Sequence, residues 1–97
     1  MATVARKLEL QYRVDRYLDY LVREWQSVPG VAQEWTDWSA DEQLEFVIEW
    51  PIREDRLGQL RQYAEQGLLT PTQRKRYEQL LKLVAQYRPT LEALLGE

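Results

Sequence analysis

The sequence contains no histidine and no cysteine, and these two absences remove most catalytic and metal-binding designs. Without them the chain has no Ser-His-Asp or Cys-His nucleophile, no histidine general base, no zinc ligand set and no disulfide. The lack of cysteine also fits the reducing cytoplasm. We therefore expect a non-enzymatic cytoplasmic protein that has no catalytic residue, no cofactor and no metal.

Long apolar runs, phosphate-binding loops and an excess of positive charge are missing as well. No run approaches the roughly 20 apolar residues of a membrane span, and the N-terminus has no apolar signal-peptide core. The four glycines are isolated, which excludes a glycine-rich phosphate loop. The net charge of −3 argues against a dedicated nucleic-acid binder. These features predict a soluble protein without a membrane partner.

The 97 residues that are present have the length of one domain, which we assign to residues 1–97. The composition is 44% hydrophobic and 30% charged, which is typical of a globular chain. Charge is unevenly distributed along it. Residues 31–57 hold two basic and eight acidic residues, a net charge of −6, and lie between two mildly basic segments. An acidic block of this kind favours a basic partner.

The spacing of apolar residues predicts an all-α fold, a small bundle of four to five helices with a long N-terminal helix. The first helix is expected from Thr3 to about Ser27, ending before the Val-Pro-Gly turn. Its apolar stripe consists of Leu10, Val14, Tyr17, Leu18, Leu21 and Trp25. A second stripe holds Leu8, Tyr12 and Val22. Because one bundle covers only one face fully, we expect a homodimer formed through this helix.

A second helix is predicted from Ala40 to Trp50, since Ser39 and Glu42 form the pattern of a capping box. Pro51 indicates a break, followed by a third helix over residues 52–66 that ends at Gly67. The apolar face of this third helix comprises Leu57, Leu60, Tyr63 and Ala64. The segment LEFVIEW also has the composition of a buried strand, although no other strand candidate is present to pair with it.

A fourth helix is predicted to start at Thr70, with Pro71 in the first helical position and Gln73 three residues after the cap. It runs to about Tyr87, and its stripe of Leu80, Val84 and Tyr87 continues in phase through Leu91 and Leu94. Pro89 interrupts that run, so we expect a kink or a restart there.

The segment EWTDWSADEQLEFVIEW, residues 34–50, holds three of the four tryptophans, six acidic residues and no Lys or Arg. Helical spacing predicts that Leu44, Val47 and Ile48 point inward and that the carboxylates are exposed. At least one of the two tryptophans that precede the helix is expected to stay partly accessible. The segment is either core with a solvated acidic face or a surface for a basic protein. The candidate partner-binding residues are Trp35, Trp38, Asp41, Glu45 and Glu49.

The helix start from Thr70 to Tyr77 carries Arg74, Lys75 and Arg76 and supports an alternative function. A helix-turn-helix protein places the first residues of its second helix in the major groove of DNA. These three residues are therefore the candidate nucleic-acid contacts, whereas an ordinary helix hairpin with a solvated basic turn has the same pattern. A purely structural homodimer is the third alternative.

Three short motifs carry a resemblance to a group of proteins. Gly-Leu-Leu-Thr begins at Gly67, Arg-Tyr-x-x-Leu at Arg76 and Arg-Pro-x-Leu at Arg88. With the residues around them, 54–95, they resemble the C-terminal part of short uncharacterised bacterial helical proteins. Proteins of this kind are sometimes the antitoxin partners of small toxins. The resemblance implies a protein partner and no catalytic residue.

Overall fold

A computed structural model describes residues 2–96, and its side chains from residue 4 onward. Three helices make up the described chain: α1 (Ala2–Glu34), α2 (Ala40–Glu65) and α3 (Pro71–Leu95). A 3₁₀ turn, Trp35–Asp37, joins the first two helices. The all-α prediction is confirmed, and these residues contain no strand. The predicted number of four to five helices is wrong, because the break predicted at Pro51 and a restart at Pro89 do not occur.

Pro51 and Pro89 lie inside helices, and so does Pro29, before which the first helix is expected to end. Helix α1 is 33 residues long and continues past Pro29 to Glu34. Helix α2 also continues past Pro51. Helix α3 likewise includes Pro89 and extends to Leu95. Proline removes one intrahelical hydrogen bond, a local cost of about 3 kcal/mol. Buried side chains lie before each proline in its helix and after Pro51 and Pro89, and their packing favours a continuous helix over a break.

The helix starts predicted at Ser39 and Thr70 and the stop predicted at Gly67 are confirmed. The Ser39 and Thr70 side chains accept hydrogen bonds from the N–H groups three residues later. The side-chain oxygens of Glu42 and Gln73 in turn accept hydrogen bonds from the backbone N–H groups of Ser39 and Thr70, which completes two capping boxes. Gly67 adopts a positive φ of 71° after α2, and the carbonyl groups of the last turn there accept the N–H groups of the following residues.

The three helices run up, down and up, as the contacts between them show. Trp25 of α1 meets Trp50 of α2, whereas Gln73 at the start of α3 reaches back to Gln11 in the first half of α1. Helix α2 is therefore antiparallel to both of its neighbours. The bundle is elongated, 52 × 24 × 19 Å, because α1 spans its whole length. Most of the packing of α1 is against α3.

One core runs along the bundle, and the stripes predicted for α1 and α3 supply most of it. Leu60 and Trp50 are the fully buried residues of α2, and Leu57, Tyr63 and Ala64 pack against them at the edge. The stripe predicted for residues 57–64 is thus confirmed. The buried hydrophobic residues are Val14, Leu18, Leu21, Trp25, Val28, Trp50, Leu60, Leu69, Tyr77, Leu80, Val84 and Leu91.

The predicted orientation of Leu44 and Ile48 is wrong, whereas Val47, predicted to point inward with them, is half-buried. Leu44 and Ile48 were expected to point inward, but they are 56% and 65% exposed. Phe46 and Trp50 face the core in their place. At about 100° per residue, Ile48 lies roughly 160° around the helix from Trp50, on the opposite side. Burying the two large aromatic rings removes more apolar area from water than burying two aliphatic side chains.

Candidate interaction surface

Three carboxylates lie in a row on the outer face of α2. Asp41, Glu45 and Glu49 are four residues apart and exposed, as the sequence predicts. In the described part of the chain none of them takes part in an ion pair. Residues 2–96 also hold no group of acidic side chains arranged to bind a metal ion. The row is therefore an uncompensated negative charge on the surface.

Three aliphatic side chains alternate with these carboxylates. Leu44, Ile48 and Ile52 also repeat every fourth residue, and their exposed fractions are 56%, 65% and 51%. Single exposed aliphatic residues are common, but a contiguous row rimmed by charge is typical of an interaction site. We name the combined surface the acidic stripe; it consists of Asp41, Leu44, Glu45, Ile48, Glu49 and Ile52.

Sequence reasoning missed the aliphatic half of this stripe, because two sets of residues in α2 have helical spacing. Phe46, Trp50 and Leu57 fit one face, and Leu44, Ile48 and Ile52 fit the other. Periodicity alone does not say which set is buried.

Trp35 and Trp38 precede α2 and pack on a different side of that helix from the acidic stripe. Their rings contact each other at 5.7 Å and both contact the ring of Phe46, at 5.6 and 6.0 Å. Phe46 in turn contacts Trp50, so this cluster extends the core beyond the end of α1. Both tryptophans stay partly accessible, as predicted. The five candidate residues thus divide into three on the outer face and two that close the core.

A polar network joins α2 to α3 and packs against Trp25 of α1. Glu54 accepts hydrogen bonds from Trp50 Nε1 at 3.2 Å and from both terminal nitrogens of Arg88 at 2.9 and 3.2 Å. The Arg88 guanidinium lies 5.1 Å from the ring of Trp25, which meets Trp50 edge-on. This carboxylate therefore holds α2 and α3 in register.

The candidate DNA contacts do not form one free basic surface. Arg76 pairs with Asp19 of α1 at 2.7 Å, and Arg74 donates to the Ala64 carbonyl in the last turn of α2. A cation at that position interacts favourably with the negative end of the α2 dipole. Lys75 is exposed. Two of the three cations therefore have contacts within the bundle, as expected for an ordinary helix hairpin.

Two groups in the bundle have clearly shifted proton affinities. Burial raises the pKa of Tyr77 above its ordinary value, and the nearby Arg61 partly offsets this shift. Interaction with the Tyr63 phenol raises the pKa of Arg13. Both shifts move a group further from neutral pH. Neither side chain therefore gains the near-neutral pKa that a general acid or base needs.

Comparison of the chain with protein-family models, curated proteins and solved structures gives no match. The resemblance to antitoxin-like helical proteins therefore remains a prediction. Among the described residues, no helix combines the length and the apolarity that a membrane span requires.

Proposed function

We propose that this protein is a non-enzymatic cytoplasmic interaction module, which binds a basic amphipathic helix of another protein on its acidic stripe. The observation that carries the proposal is the stripe itself: three large aliphatic side chains in a row, each next to an unpaired carboxylate. A partner helix with apolar residues at matching spacing and Lys or Arg beside them fits this surface. An antitoxin that holds a basic toxin is one protein of this class.

The energetics of the stripe favour binding over a structural role. Full burial of an aliphatic side chain contributes about 1.5–3 kcal/mol. Covering the exposed half of Leu44, Ile48 and Ile52 therefore adds roughly 1 kcal/mol each to a complex. The carboxylates speed encounter with a basic partner and select against acidic ones. In the isolated bundle these six side chains contribute little to stability, because they remain in contact with water.

The test is capture of a partner by matched variants. Glu45→Lys combined with Glu49→Lys reverses two charges of the stripe, and Glu65→Lys combined with Glu78→Lys makes the same charge change at exposed positions elsewhere. The wild type and each variant are immobilised and exposed to an extract of the native host. A captured protein is then purified, and its affinity is measured at increasing salt concentration.

We expect a basic protein to bind the wild type and the Glu65/Glu78 variant, and to bind the Glu45/Glu49 variant about tenfold more weakly, a loss of about 1.4 kcal/mol. Its affinity for the wild type should fall with salt. Equal capture by all three proteins, or recovery of DNA in place of a protein, would contradict the proposed function. Circular dichroism checks that both variants stay helical.

A further inference from the structure

A shallow depression lies beside the acidic stripe, in the face that α1 and α2 form together. Its volume is about 570 Å³, and Ile52 stands at its edge, so the stripe and the depression share one surface. Two tyrosines supply apolar walls and three arginines supply positive charge. One acidic residue lies among them, and the full lining is Arg16, Tyr17, Asp19, Tyr20, Arg23, Ile52 and Arg56.

The positive charge of the depression is uncompensated within the described chain. None of the three arginines forms an ion pair there; Arg16 bonds to the Tyr12 hydroxyl, and Arg56 lies 5.1 Å from the ring of Tyr17. The nearby Asp19 does not neutralise them, because it already pairs with Arg76 of α3. One face of the bundle therefore carries a basic half with a depression walled partly by tyrosines, and an acidic half with an aliphatic row.

The two halves are complementary to each other but are separated along the bundle axis. Trp25 of α1 lies beside Trp50 of α2, and the two helices are antiparallel. Arg16 therefore lies towards the end of the bundle where α1 begins, and Glu45 towards the end where α2 begins. A single chain cannot bring them together. A second chain that lies antiparallel on the same face can, because a two-fold axis near Ile52 turns each acidic half onto the basic half of the other copy.

We infer that a second copy of this chain occupies the α1–α2 face, in a two-fold dimer. Leu44 or Ile48 of each copy enters the depression of the other, and Glu45 and Glu49 lie beside the partner arginines. Both contacts are equivalent by symmetry. A basic partner protein competes with this dimer for the acidic stripe; the competition rests on the proposed function, whereas the dimer itself does not.

The experiment uses two charge-reversed variants, each with a control. Glu45→Lys with Glu49→Lys reverses two of the three carboxylates of the acidic stripe, and Arg16→Glu with Arg23→Glu reverses two of the three arginines of the depression. Glu65→Lys with Glu78→Lys and Lys75→Glu with Lys82→Glu repeat these charge changes at exposed positions away from the face. Analytical ultracentrifugation gives the mass of each purified protein at 1–300 micromolar, which spans about the affinities expected of a modest interface.

The wild type and both controls should form a species of twice the 11.7 kDa of one chain. Each face variant alone should be monomeric, because like charges then oppose each other in both contacts. An equimolar mixture of the two face variants should restore the dimer, since both contacts become complementary again. High salt should weaken the dimer in every case.

A wild type that stays monomeric throughout this range would overturn the inference. Dimers of either face variant alone would also overturn it, and so would a mixture of the two face variants that remains monomeric. These outcomes need no partner protein, so they are independent of the capture experiment. A monomeric wild type that still captures a basic protein would retain the proposed function and remove the dimer alone.

Discussion

Gln73 both caps the start of α3 and binds α3 to α1. Its side-chain carbonyl accepts the Thr70 N–H group in the capping box, while its amide nitrogen donates to the Gln11 carbonyl and to the Asp15 carboxylate. It is the one buried polar residue of the described core. Because the same side chain starts α3 and joins α3 to α1, the start of the third helix and its docking on the first are coupled.

The cap at Thr70 makes a testable contribution to stability. Thr70→Ala should lower the free energy of unfolding by about 1 kcal/mol, because the Gln73 N–H group loses its hydrogen-bond acceptor. Thr72→Ala is the control, since Thr72 is exposed on the same helix and does not hold the cap position. Urea unfolding of both variants measures the difference. Equal midpoints for the two variants would show that Thr70 does not cap α3.

At the scale of the helix, the prolines show how packing overrides local propensity. Pro29, Pro51 and Pro89 each lie inside a helix that continues beyond them. Beside Pro29 and Pro51, Val28 and Trp50 are almost fully buried, and Pro51 itself is exposed. A break at either position would move these core side chains away from α3.

The cost of Pro51 can be measured by removing it. Pro51→Ala should raise the free energy of unfolding by about 1–3 kcal/mol, because alanine restores one intrahelical hydrogen bond and removes the ring clash. Gln62→Ala, at an exposed position of the same helix, should change it by only a few tenths of a kcal/mol. Thermal or urea unfolding provides the comparison. A destabilised Pro51→Ala protein would mean that the helix needs the proline at this point.

The sequence predicts local features of these helices better than their orientation. Both capping boxes and the Gly67 stop depend on neighbours within six residues, so local chemistry specifies them. The outward position of Ile48 depends instead on which face of α2 meets α1 and α3. The contact of Glu54 with Arg88 depends on the antiparallel register of two helices. Neither kind of information is present in hydrophobic spacing alone.

For the whole molecule, the charged residues fall into two sets: those paired between helices and those left unpaired on the surface of the described chain. The ion pairs Glu24–Arg53, Asp19–Arg76 and Glu54–Arg88 join one helix to another and hold the bundle together. The carboxylates of the acidic stripe and the arginines of the depression have no such partner within the described chain. A bundle that stabilises itself with one set of charges and leaves another set uncompensated has a surface suited to association.

The central claim is that the aliphatic row of α2 serves association and not the core. It is tested most directly by replacing Leu44, Ile48 and Ile52 together with glutamine, which retains good helix propensity. Unfolding at sub-micromolar concentration keeps any dimer from contributing to stability. The buried Leu60→Gln variant is the control for a core position.

The triple variant should keep its free energy of unfolding within about 1 kcal/mol of the wild type, while the Leu60→Gln variant loses several. In ultracentrifugation at 300 micromolar, the triple variant should be a monomer of 11.7 kDa under conditions in which the wild type is a dimer. A triple variant as unstable as the Leu60→Gln protein would place these side chains in the core. A stable triple variant that self-associates and captures its partner like the wild type would contradict the account.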